Sequence, residues 1–315
     1  MKGIGIFLMV TGHTLGPDSP LSKFIYSFHM PLFFLVSGYF FKCTTIINSV
    51  RSSYHRLIKP YIFICFIYVT IKIALQYYHS QKLQIDLDAI IYGMGPGWFL
   101  LALFWGRIII NCIINNFPNL YILLAFIVST IPIVLLQVHP IIMPLAIMEG
   151  LSCVLFISIG YFAKQNNTLN KMQNHIKTYI FISLLLWLNT SINGKIEMSA
   201  CTYKLLIIDY MGAIGGTFLC YHIAKFITRT SLPLKQLFTI VSLYSLAIYS
   251  FHTIDFCIPL WHHLSSFISQ EYQVGAILLG RLILFYPIVT ITFHIPFLYN
   301  LFIGKHPPSN ASVKN

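Results

Sequence analysis

The chain has 315 residues, 57% of them hydrophobic and 9% charged, with a mean hydropathy of +0.76. Soluble domains carry nearer ~25% charged residues, so this composition excludes a soluble globular enzyme, a disordered chain and a disulfide-rich secreted domain. What remains is an all-α, polytopic membrane helix bundle of roughly ten spans, and the excess of 20 Lys+Arg over 8 Asp+Glu reads as positive-inside bias in place of a nucleic-acid surface.

In chain order the apolar runs place spans near 2–16, 24–41, 57–78, 97–114, 120–136, 141–163, 178–193, 205–227, 237–261 and 273–303. The first run reads as an uncleaved span, not a signal peptide, because no small-residue cleavage site follows and His13 falls inside it. As a helix it reaches ~24 Å against a ~30 Å hydrocarbon core, so either the bilayer is thinned there or the natural start lies upstream. Arg107 interrupts the fourth run and Glu149 the sixth, and Pro287 and Pro296 are expected to tilt or break the last. A membrane domain over 1–305 is followed by a polar tail from His306, expected to be a disordered cytoplasmic segment over 306–315.

Charge tests this arrangement. With an inside N-terminus and alternating spans, the inner segments hold Lys2, Lys42, Arg51, Arg56, Lys59, Lys164, Lys171, Lys177, Lys225, Arg229, Lys235, Lys305 and Lys314 and no acid. The outer loops hold Lys23, Lys82, Lys195 and Lys204 beside Asp18, Asp86, Asp88, Glu197 and Glu271. A missed or extra helix would scramble that segregation, so both termini are expected to be cytoplasmic. Trp98 and Trp261 fall at outer ends, as interfacial anchors do. The cysteines, Cys43, Cys65, Cys112, Cys153, Cys201, Cys220 and Cys257, form no CxxC pair and read as small buried hydrophobes, with neither a disulfide framework nor a zinc site.

The informative residues are polar groups inside the spans: His13, His29, Arg107, Glu149, His252, Asp255 and Arg281. Each is costly in lipid and should face the bundle interior or a wet cavity. His13 lies ~16 Å in from Lys2 and His29 ~8 Å from the outer end of its span, which puts both imidazoles in one layer on consecutive antiparallel helices. Glu149 and His252 fall in the same outer half. In the ninth span Ser242, Ser245, Tyr249, His252 and Asp255 recur every three or four residues, a polar stripe that must meet other helices. On these residues alone three readings stand: interhelical hydrogen-bond bridges, the proton relay of a sugar or small-anion transporter, and the acid–base centre of an enzyme. Arg107 and Arg281 suit either an ion pair with Glu149 or Asp255 or an anion clamp. Gly212 and Gly216 have the spacing of a packing seam, and His262-His263 reads as an interfacial pair.

The stretch Lys2-Gly3-Ile4-Gly5-Ile6 through Gly12-His13, then Phe28-His29-Met30-Pro31-Leu32-Phe33-Phe34 and Ser37-Gly38-Tyr39, resembles the opening of the membrane acyltransferase 3 family, and most of all its fucose O-acetylase-like branch. Arg56-Leu57, Pro60-Tyr61, Trp98-Phe99-Leu100, Pro144 to Gly160 around Glu149, and Ser245 to His252 continue the resemblance over almost the whole chain. It implies ten transmembrane helices in a bacterial cytoplasmic (inner) membrane. It also implies transfer of an acyl group, usually acetyl, from cytoplasmic acetyl-CoA to a hydroxyl of an envelope sugar or lipid-linked glycan, with no permanently bound cofactor. The family's basic residue eleven positions before a His maps onto Lys2 and His13. Many members carry Arg there, with an acid just before it; here Lys takes that place and the chain begins too late to hold the acid.

Acyl transfer to a hydroxyl needs a base for the proton, a donor for the thioester oxyanion and a route out for the thiolate. A neutral imidazole in a partly dry cavity suits the first task. His13 is the expected base, with His29 orienting it or polarising the carbonyl; the alternative is an acyl-imidazole relay through His13. Glu149, His252, Asp255 and Arg107 are expected to line the substrate cavity. Lys2, Arg51, Arg56 and Lys59 are expected to hold the donor's phosphates.

Overall fold

The computed structural model describes residues 1–16, 19–80, 97–138, 144–230, 232–257, 261 and 267–304. The tail over 306–315, the His262-His263 pair, and Asp18, Lys82, Asp86, Asp88, Lys305 and Lys314 lie outside the described residues.

The described chain is all-α but for one two-residue hairpin. Helix α1 (Lys2–Leu15) is followed by α2 (Pro20–Tyr26), α3 (His29–Tyr39), α4 (Ile46–Ser53) and, across a π-helical turn at Tyr54–Ile58, α5 (Lys59–Ser80). Next come α6 (Trp98–Asn116), α7 (Tyr121–Val138), α8 (Ile147–Ser152), α9 (Val154–Gln165) and α10 (Ile176–Asn193). Strands β1 (Ile196–Glu197) and β2 (Thr202–Tyr203) pair antiparallel. The chain then runs through α11 (Ile207–Thr230), α12 (Leu232–Leu243), α13 (Ser245–Cys257), α14 (Gln270–Ile283), α15 (Phe285–His294) and α16 (Pro296–Ile303). Among the described residues, every apolar run of the sequence is thus largely helical.

Three stretches, Ile46–Tyr78, Trp98–Asn116 and Glu271–His294, are long and apolar enough to cross a bilayer, and five segments are if each bent pair counts as one span. The stretch Glu271–His294 has a mean hydropathy of 2.1 in its most apolar window, none of which is buried. Phe66, Phe181, Ile223, Phe226, Leu279 and Ile283 are likewise exposed. A soluble monomer does not tolerate so much contiguous apolar surface; a hydrocarbon solvent does.

Three expected single spans are interrupted, and they carry His29, Glu149, His252 and Asp255, whereas His13, Arg107 and Arg281 lie on others. The second stops at Tyr26 and restarts at His29, around Phe28 at φ −146°. The sixth bends by 49° between Ser152 and Val154, just after Glu149. The ninth bends by 71° between Leu243 and Ser245, before His252. That bend removes Ser242 from the stripe that Ser245, Tyr249, His252 and Asp255 share on α13. Freed backbone groups at such breaks are tolerated where protein or a cavity surrounds them. The last run breaks at Leu284 and again at Ile295, an extended residue immediately before Pro296, as the proline ring requires of its predecessor.

Close crossings come from glycines. A Cβ on Gly38 would strike the carbonyl of Ile157, and one on Gly160 that of Leu35, so α3 and α9 meet backbone to backbone. Gly212 and Gly216 seat α11 on Thr190, Phe28 and Trp187, which makes them the packing seam their spacing implies. Gly3 lies against the Phe238 carbonyl of α12. Helix α1 is therefore central, touching α2, α3, α12, α13 and α14, with Met9 and Val10 almost wholly buried.

Candidate functional site

Two polar groups form around α1, at different depths.

The first is built on His13. Its Nδ1 lies 3.1 Å from Nε2 of His252 on α13, with the rings nearly parallel and their centroids 5.3 Å apart. Nδ1 of His252 in turn lies 3.7 Å from Asp255 Oδ2, one helical turn on. That is ion-pair rather than hydrogen-bond range, but the carboxylate still favours the tautomer with the His252 proton on Nδ1. Nε2 of His252 then accepts from Nδ1–H of His13, and Nε2 is left as the basic nitrogen of His13. Asp255 is itself held. Arg281 Nε donates to its Oδ2 at 2.9 Å, the indole N–H of Trp261 donates to its Oδ1, and Arg281 Nη1 donates to Thr14 Oγ1 at 3.0 Å. The Thr14 hydroxyl passes its proton on to the Val10 carbonyl at 2.7 Å.

His29 closes this group from the other side. It is the first residue of α3 and is 3% exposed. Its Nδ1 donates to the Ile25 carbonyl at 3.1 Å, which leaves Nε2 as its acceptor nitrogen. The His13 and His29 rings meet edge to face at 6.5 Å, with the Tyr26 ring 6.2 Å from the first and 5.2 Å from the second. Tyr26 comes this close because residue 12 is glycine; a Cβ there would sit 3.1 Å from its ring.

The second group is cationic. Lys2, Arg56 and Arg107 lie within electrostatic reach of one another. Arg107 Nε donates to Ser53 Oγ and Nη1 to Ser37 Oγ, both at 3.3 Å, with the guanidinium 5.3 Å over the Phe41 ring. Among the described residues no carboxylate comes within ion-pair distance of these three cations.

A family model described as "Acyltransferase domain", that of the acyltransferase 3 family, matches residues 1–302. The chain belongs to this family. Among curated proteins it is similar to Nodulation protein NolL of Mesorhizobium japonicum, 33% identical over 38% of this chain and 36% of that protein. It is also similar to Nodulation protein NolL of Sinorhizobium fredii, 36% identical over 32% of each. The chain thus spans about a third of the length of these relatives. No solved structure matches it.

The expected residues therefore sort into places. His13, His29, His252 and Asp255 converge on one centre. Arg107 is not with them; it joins Lys2 and Arg56, because the α6 face that carries it packs on α4 and the π-helical turn. Arg51 and Lys59 are exposed. Glu149 sits on α8 with Cys153 and Cys201 as its electrostatic neighbours, and its Oε2 is buried without a partner among the described residues. Arg281, left between two carboxylates by the sequence, pairs with Asp255. Trp261, read as an interfacial anchor, is drawn to the same carboxylate. Thr14 and Tyr26 carried no signal beyond their nearness to His13.

Proposed function

We propose that this chain is an integral membrane O-acyltransferase of the bacterial cytoplasmic membrane. It crosses about ten times with both termini inside, and moves an acetyl group from cytoplasmic acetyl-CoA to a hydroxyl of an envelope sugar or lipid-linked glycan. Family membership supports acyl transfer, and the bacterial nodulation relatives support the setting. The observation that carries the reading is the line Asp255, His252, His13, which backs one interior imidazole with a second imidazole and a carboxylate.

In this mechanism Nε2 of His13 takes the acceptor hydroxyl's proton as its oxygen attacks the thioester carbonyl. The new C–O bond forms, the C–S bond breaks, and the same imidazolium returns the proton to the departing thiolate. His252, backed by Asp255, stabilises the transient positive charge on His13, and His29, whose Nε2 is an acceptor, orients His13 from the other side. Lys2, Arg56 and Arg107 hold the donor's phosphates. The ~16 Å between Lys2 and His13 along α1 is a span that the pantetheine arm bridges. Glu149 stands apart as an acceptor-binding group. A covalent acetyl-His13 intermediate uses the same residues and differs in accumulating when acceptor is withheld.

Membranes containing the protein should transfer labelled acetyl from acetyl-CoA to a sugar acceptor, and His13→Ala should end this without loss of protein. Counterflow of a sugar or anion without acetyl transfer would replace this reading with a transporter.

A further inference from the structure

A cavity of about 340 Å³ opens away from both groups, between the start of α10 and the last turns of α11, lined by Gln173, Ile176, His222, Lys225, Phe226 and Arg229. It lies at the Lys2 end of the bundle: Cys220 and Ala224, on the same stretch of α11, pack with Ile4 and Met1 of the first helix. Lys225 and Arg229 in the closing turns of a helix are expected on general grounds, since they answer its dipole and the positive-inside bias. Two observations go further. The cations line a half-open depression and not a plain solvated face. In addition, His222 Nε2 is buried with no partner among the described residues, while its ring is held against Phe218 and Tyr221 at 4.6 and 5.0 Å. The ring is thus a fixed wall of the depression, beside two cations whose charges can meet an anionic oxygen there. The surroundings say where the anion comes from. Ile223 and Phe226 flank the cavity and are 54% and 65% exposed, an apolar apron beside a cationic pocket at the end of a span, where lipid headgroups lie.

We infer that His222, Lys225 and Arg229 form a binding site for the phosphate headgroup of an anionic lipid, with its acyl chains along Ile223 and Phe226. The shared chemistry is a phosphate, and basic pockets between membrane helices recognise it through charge and hydrogen bonds. The site is separate from acyl transfer and does not depend on the reading given above.

The test is native mass spectrometry of the detergent-solubilised full chain, titrated with phosphatidylglycerol, phosphatidylcholine or inorganic phosphate. Phosphatidylglycerol should be retained over phosphatidylcholine by roughly tenfold. The preference should fall to near parity in a K225Q/R229Q variant and persist in K225R/R229K. Lys225 is half-buried and Arg229 exposed, and among the described residues neither side chain makes an ion pair. Parity between the two lipids in the unaltered protein, a measurement that needs no variant, would overturn the proposal, as would an undiminished preference in K225Q/R229Q. Inorganic phosphate binding as well as phosphatidylglycerol would overturn the lipid as the source.

Discussion

The two polar groups around α1 treat charge in opposite ways. In the group around His13, the Asp255 carboxylate is met by Arg281 and Trp261 and faces His252, and Arg281 reaches on to Thr14. Its charge is neutralised internally, and its side chains are fixed. Around Lys2, Arg56 and Arg107 there is no acid among the described residues; Arg107 rests on two serine hydroxyls and an aromatic face, while Lys2 and Arg56 are exposed. A neutralised network holds a geometry; an unneutralised one is built to receive an anion. On the proposed function, that contrast suits the first to acyl transfer and the second to donor binding.

Four experiments break or sharpen that contrast. The largest effect is expected from His13→Ala, which should lower the acetyl-transfer rate by about 10²–10⁴-fold with membrane abundance unchanged, measured as labelled product per unit protein. Asp255→Asn comes next. It leaves the Arg281 guanidinium, 11% exposed, without its counter-ion, and should destabilise the fold by about 3–5 kcal/mol in chemical unfolding of the solubilised protein. The double variant D255N/R281Q should recover much of that loss; a double variant no better than D255N would mean that the pair is not coupled. Arg107→Gln should raise KM for acetyl-CoA about tenfold with kcat nearly unchanged, because a charge-assisted contact to the donor is lost. A fall in kcat at constant KM would move Arg107 to the reacting centre and dissolve the distinction between the two groups. The smallest effect is expected from Arg51→Ala and Lys59→Ala, exposed at the same end, which should change KM by less than about twofold after screening.

Gly38 and Gly160 show how far the frame supports the sites. Alanine at either would collide with backbone of the facing helix, and overpacking of this kind costs about 1–3 kcal/mol. The Ser37 that receives Arg107 lies beside one of these contacts, so Gly38→Ala should weaken donor binding as well as stability.

Much of the centre is legible in the residues. That His13 and His29 meet is legible from helix rise along two consecutive antiparallel runs, and His252 and Asp255 share a face because three residues are nearly one turn. The breaks at Phe28, Cys153 and Tyr244 were not legible. Pro31 and Gly150 lie three residues from the first two of them, but no proline or glycine stands at a break itself, and apolar composition continues straight across.

By itself, then, the sequence determined the solvent this chain folds in, where its helices run, which residues are too polar for lipid, and how deep along their helices each of those lies. These are one-dimensional quantities, set by hydropathy and by 1.5 Å per residue. Only the tertiary structure decided who meets whom. It put His252 rather than Glu149 against His13, Asp255 rather than Glu149 on Arg281, and Arg107 among the cations. Partnership between helices depends on rotation about each axis and on which glycines let two backbones close, and neither is written in the order of residues along one helix.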